Sequence, residues 1–145
     1  MKIFQNILKF FLVIALAFTV CACSRTKQKA VVVQEFELSG MLAYVEVYPW
    51  SENIGPIANG EEAVEKAQEI WLREFYACYN IENPWEDGTQ IAVYYDKSSD
   101  CWYLTEDLPE DTVGTVAHLI VRSDGEVLAL WHEGLLPDSK ITWKD

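Results

Sequence analysis

Apolar positions recur at helical spacing through Ala63, Val64, Ala67, Ile70, Trp71, Phe75, Ala77 and Cys78, one wide stripe at 100° per residue. Asn59 stands where a cap belongs, and Glu61 and Glu62 favour the positive end of the helix dipole, so the pattern predicts a helix opening at residue 59 or 60. Asn83-Pro84 ends it. The period then changes to two. Residues 89–96, 101–105, 114–121 and 126–132 read as strands, joined by Lys97-Ser98-Ser99-Asp100, a polar connection over 106–112 and the tight turn Ser123-Asp124-Gly125. The third strand is apolar on both faces, Val116 and Ile120 on one, Ala117, Leu119 and Val121 on the other. The fourth sets Leu128 and Leu130 against Val127, Ala129 and Trp131. Such a sheet is covered twice: the helix takes one face, and the amino-terminal segment, a second subunit or a target takes the other. Upstream, residues 31–48 alternate loosely around Ser39-Gly40 and read as an extended segment or strand pair, and 49–59 as loop. The fold class expected is α+β, one main N-terminal helix on a curved antiparallel four-stranded meander.

The chain opens differently. Lys2 and Lys9 precede an uncharged, mostly apolar run of 13 residues, Phe10 to Ala22, the layout of a secretory signal. That run falls short of the roughly 20 residues a spanning helix needs. Val20-Cys21-Ala22-Cys23 has the form of a lipobox, with a branched aliphatic three positions before Cys23 and a small residue directly before it. The expected organisation is a lipoprotein signal peptide over 1–22, a lipidated basic tether over 23–30, an extra extended segment and loop over 31–58, and the folded domain over 59–145. Cys23 is the expected lipid attachment, which places the mature chain on a cell membrane and outside the cytoplasm.

Charge follows this division. Removal of residues 1–22 leaves nine Lys and Arg against 23 Asp and Glu, a net charge of −14. Arg25, Lys27 and Lys29 lie beside the anchor, and from Ala30 onward six basic residues face all 23 acidic ones, a net of −17. The basic tether suits anionic headgroups. The acidic domain is repelled by nucleic acid and suits a basic protein partner. With Cys21 removed and Cys23 acylated, Cys78 and Cys101 remain as a pair that forms a disulfide in an oxidising compartment or stays as two buried thiols. The sequence leaves both open.

Catalytic chemistry is sparse. His118 and His132 each sit inside a strand among apolar neighbours, and no metal-ligand spacing, phosphate loop or nucleophile elbow is present. No cofactor or metal is expected, and the chain reads as a binding protein, not an enzyme. Glu74 falls near the middle of the apolar stripe, where a carboxylate is costly unless paired. It either points into a pocket under the sheet or reaches solvent or a Tyr or Trp donor at the helix end. Aromatic residues are abundant, six Trp and seven Tyr. Trp50, Trp85, Trp102, Trp131 and Trp143 lie near element ends or loops, where such rings often anchor interfaces. Trp71, with Trp102 or Trp131, is expected in the core. Glu74, Trp85, Trp102 and His132 are the candidate pocket or interface residues.

Several stretches carry a resemblance: the helix from Ala63 to Trp71 followed by Tyr76, then Pro84-Trp85, Asp100-Cys101-Trp102-Tyr103, Leu108-Pro109 before Gly114, and Ile120 to Leu128 with His132. Over roughly Gly60 to Gly134 the chain resembles the immunity-protein family with a nuclear-transport-factor-2-like fold. Ala77 and Thr115 stand where that family favours glycine. The resemblance implies a cystatin-like or nuclear-transport-factor-2-like architecture and a non-enzymatic protein that neutralises a bacterial toxin. Joined to the lipobox, it implies an immunity-type lipoprotein acting in the cell envelope. The alternative is an envelope module that binds a small molecule or peptide without a toxin partner.

Overall fold

The structure, a computed structural model, describes residues 30–86 and 88–141. Residues 1–22, Cys23 and Trp143 lie outside the described residues, and with them the expected signal and lipid site. Among the described residues no helix is long and apolar enough to cross a membrane.

The domain is α+β, as expected, but its sheet has five strands and is mixed. In spatial order these are β1 (Val33–Glu35), β2 (Gln90–Asp96), β3 (Cys101–Asp107), β4 (Ala117–Arg122) and β5 (Val127–His132). The last four form the expected antiparallel meander, whereas β1 pairs parallel to β2, Val33 opposite Val93. The main helix is therefore not the first element, and the four-stranded expectation is corrected. A three-residue strand shows no periodicity, and its partner lies some sixty residues on.

Residues 38–47 also depart from the extended reading. Leu38–Met41 forms a 3-10 turn and α1 (Leu42–Val47) a short helix. Leu38, Met41 and Val45 stand three and then four residues apart, a helical spacing inside the loose alternation, and packing selects the helix: these three cover Ile120, Ala129 and Trp131 on the outer face of the sheet. Of the possible covers for that face, the amino-terminal segment is the one in place. Its start is pinned by Asp96, which accepts a hydrogen bond from Leu38 N (3.0 Å) and others from Ser98 and Ser99. Tyr44 and Tyr48 stack on Trp131 at 5.2 and 5.4 Å between ring centroids.

The inner face carries the main core. Helix α2 (Gly60–Trp71) starts as predicted: Asn59 Oδ1 accepts from Glu62 N (2.9 Å), and the Glu62 carboxylate accepts from Ala58 N (2.8 Å). Such reciprocal capping is worth about 1 kcal/mol. Ala63, Ala67, Ile70, Trp71 and Phe75 pack on Val93, Trp102, Leu104, Ala117, Leu119 and Val121. Burying a side chain such as Leu104 or Leu119, with no exposure at all, contributes about 1.5–3 kcal/mol each. The odd–even reading of β5 fails at one point. Val121 pairs with Val127 and Ile120 with Ala129, so Leu128 is an inserted residue. That bulge turns Val127 inward beside Leu130 and leaves Leu128 outside with Trp131.

After Trp71 the backbone widens into a π-helical segment, Leu72–Tyr76, in which Ala77 N–H donates to Leu72 O. One extra residue in the turn rotates everything beyond it. Ala77, expected in the stripe, is exposed, and Tyr76 is buried in its place. Asn80, in the left-handed region (φ 60°), ends the helical run.

Candidate functional site

The rotation of Tyr76 builds the site. At the end of the sheet where β3 finishes and β4 begins, a pocket of about 330 Å³ opens between the helix end and the strands. Tyr76, Glu106 and His132 supply its polar wall, Thr89 and Thr115 further hydroxyls, and Ile81, Pro84, Leu108 and Leu135 its apolar wall.

Glu106 is the deepest charged group here, 6 % exposed. Its Oε2 accepts from the Tyr76 hydroxyl (2.6 Å) and from Ala117 N (2.9 Å), and its Oε1 accepts from Trp85 Nε1 (2.9 Å). Three fixed donors make burial of this carboxylate tolerable. Burial, then the hydrogen bond to Glu106 and its charge, holds the Tyr76 phenol well above its ordinary range, so it stays a donor. Trp85 meets Tyr76 edge to face at 6.0 Å, and the His132 ring does so at 5.6 Å.

His132 Nδ1 accepts from Gly134 N (3.0 Å) and Leu135 N (3.1 Å). That fixes the tautomer: the proton sits on Nε2 and the ring is neutral. Burial first, then the proximity of His118, lowers its pKa to about 4, against an opposing pull from Glu133. Because the folded value lies below the ordinary 6.5, the unfolded chain takes the proton first. The contribution to stability is present above pH 6.5 and is lost as pH falls from 6.5 towards 4. For a half-buried ring the loss is discounted to about 1–2 kcal/mol. Urea unfolding of the wild type should therefore weaken between pH 7 and 4.5 by that much more than unfolding of His132→Gln. Equal slopes in the two proteins would show that His132 is not the titrating group. His118, also lowered by burial, acts with the same sign in both proteins.

The expected site residues separate into two groups. His132 lines this pocket, and Trp85 stands behind its wall, bonded to Glu106 and edge-on to Tyr76. Glu74 does not line it: although only 8 % exposed, it pairs with Arg73 Nε (2.8 Å), which also reaches Glu52 (2.6 Å). Glu52 in turn accepts from Trp50 Nε1 (3.2 Å). Glu74 is thus a paired helix-end glutamate, with arginine as its donor where a Tyr or Trp was expected. Trp102 is core, 6 % exposed, its Nε1 donating to Ser123 Oγ (3.0 Å). It stands four residues from Glu106 along β3, about 13 Å away. Cys78 and Cys101 are free thiols, so the bridge left open by the sequence is not formed. Each donates instead to a local carbonyl, Cys78 to Phe75 O and Cys101 to Ser99 O.

Sequence reasoning missed Glu106 and Tyr76. Continuing the alternation Trp102, Leu104 by one more step would have put Glu106 on the inner face; ending the strand at Thr105 hid it. Tyr76 carried no such signal, because its position depends on the π-helical turn.

Other features explain themselves structurally. His118 lies in a stack across the outer face, 4.4 Å from Trp131, with Nδ1 3.1 Å from the Tyr103 hydroxyl. A larger groove, about 770 Å³, runs along β1 and the β2–β3 turn, but its buried acid Asp96 is already consumed by Leu38, Ser98 and Ser99. Among the described residues no three His, Cys, Asp or Glu side chains are grouped to hold a metal. Comparison with family models, curated proteins and solved structures gives no match.

Proposed function

We propose that the chain is a membrane-anchored immunity-type lipoprotein, held by a lipid on Cys23, that binds and neutralises a bacterial toxin in the cell envelope. The observation that carries this reading is the pocket end of the domain. Tyr79, Ile81 and Leu136 stand exposed there, beside a pocket floored by a buried carboxylate. Apolar and aromatic groups around a fixed polar anchor make the composition of a protein-binding surface. The net charge of −17 from residue 30 onward favours a basic partner and speeds its encounter. The resemblance noted above agrees with this, and the address restricts the target to toxins met outside the cytoplasm.

Coexpression with the toxin encoded beside it is the test. Protection of the host and a complex recovered from the membrane fraction are expected; a chain that gives neither sinks the proposal. One observation favours a second reading, an envelope module for a small molecule or peptide: at about 330 Å³ the pocket falls within the size range of ligand sites. A thermal shift produced by a small ligand, in a chain that confers no protection, would select it.

A further inference from the structure

The pocket has a charge preference that its geometry dictates. A carboxylate offers about four acceptor positions. Among the described residues, Glu106 Oε2 is taken twice, by Tyr76 and Ala117, while Oε1 has Trp85 alone. One acceptor position is left on a group that lines the pocket. An anion brought there would be desolvated beside a like charge, which is unfavourable. A neutral apolar group would leave the remaining lone pair dry.

The surroundings push the same way. Exposed Glu82, Asp107 and Glu133 each neighbour a lining residue in sequence, and no Lys or Arg lies within two residues of one. Arg73, three residues before Tyr76, is already engaged by Glu52 and Glu74. His132, neutral with both backbone donors on Nδ1, adds no competing positive charge. Behind this negative mouth, Ile81, Leu108 and Leu135 offer an apolar wall. A cation on a long aliphatic stem satisfies both halves at once, as lysine and arginine do when they bury the stem and keep the head with a polar partner.

We propose that the pocket receives a basic side chain of the protein partner, its guanidinium or ammonium set against Glu106 and its stem against Ile81, Leu108 and Leu135. This rests on the toxin-binding reading and names the contact that would anchor it. Of the two cations, guanidinium fits better, because its planar fork presents several fixed donors to Oε1 and its weaker hydration makes burial less costly.

The experiment uses the full chain in detergent, with butylguanidinium as probe, butylurea as its neutral counterpart and the Trp85 indole N–H resonance as reporter. Wild type should show a saturable shift of Trp85, and not of Trp102, with butylguanidinium only. Thr115→Lys, which places an ammonium in the pocket from an exposed lining position, should weaken that binding at least about tenfold and weaken protection against the toxin in parallel. Val113→Lys, fully exposed and outside the pocket, should change neither. No shift in wild type, or an equal shift with butylurea, overturns the cation site. Full protection by Thr115→Lys despite lost probe binding overturns the partner contact and leaves the immunity reading standing. Probe binding in a wild type that does not protect supports the cation site and defeats the immunity reading alone.

Discussion

Gly125→Ala should destabilise the domain by about 3 kcal/mol or more and lower its melting temperature by on the order of 10 °C. Two effects combine. Gly125 has φ +92°, a conformation costly for any residue with a Cβ. A Cβ there would also lie 2.3 Å from Gly55 O and 2.6 Å from Gly55 N, both backbone atoms with no rotamer to move. The contact matters because residues 53–57 are strapped to the β4–β5 turn. Ile54 N donates to Gly125 O (2.9 Å), Ile57 N to Ser123 O (2.8 Å) and Asn53 Nδ2 to Asp124 O (3.2 Å). The strap leads directly into Asn59 and helix α2, so displacing it disturbs the cap as well. Thermal unfolding followed by circular dichroism checks this, and a variant melting with the wild type would show that the strap is not held against the turn.

Glu106→Leu should cost about 2–5 kcal/mol, more than Glu106→Gln. Leucine fills much of the same volume but accepts nothing. Tyr76 and Ala117, 5 % and 0 % exposed, would keep buried donors without a partner, while half-buried Trp85 can turn to water. Glutamine still accepts from Tyr76 and Ala117 through its carbonyl, but its amide then faces the Trp85 Nε1–H donor to donor. Urea unfolding at pH 7 orders the three proteins. Equal midpoints for wild type and Glu106→Leu would remove Glu106 as the organising group of the site.

The contrast between what the residues announce and what they conceal has physical causes. Asn59 with Glu62, the turn at Ser123–Gly125 and the two-faced strand β4 are local signals, written within a few residues, and each is found where its chemistry puts it. The inner positions Ala117, Leu119 and Val121 follow from alternation alone. Parity breaks at Val127 and Leu128 because a bulge inserts a residue. It breaks again at Tyr76 and Ala77 because a π-helical turn does the same to a helix. Strand β1 and helix α1 are chosen by distant packing, against Val93 and Trp131, which no local window contains. The site inherits these difficulties: Trp85 and His132 were legible as candidates, but the ring both of them meet, Tyr76, comes from the shifted turn, and the carboxylate that Tyr76 and Trp85 share sits one step past the expected strand end.

A sheet ordinarily leaves a row of unpaired amides along each margin, a template on which other copies can add. Here the β5 margin is occupied by the chain itself: Leu130 N donates to Tyr48 O, Trp50 N to Leu128 O and Val127 N to Glu52 O. At the other margin β1 offers only three residues, ending on exposed Gln34 and Glu35. For copies crowded side by side on a membrane, as a lipid on Cys23 would hold them, this denies the simplest route to edge-to-edge fibres. The segment before α2 is thus also an insulator, keeping neighbours from reading one another's backbone.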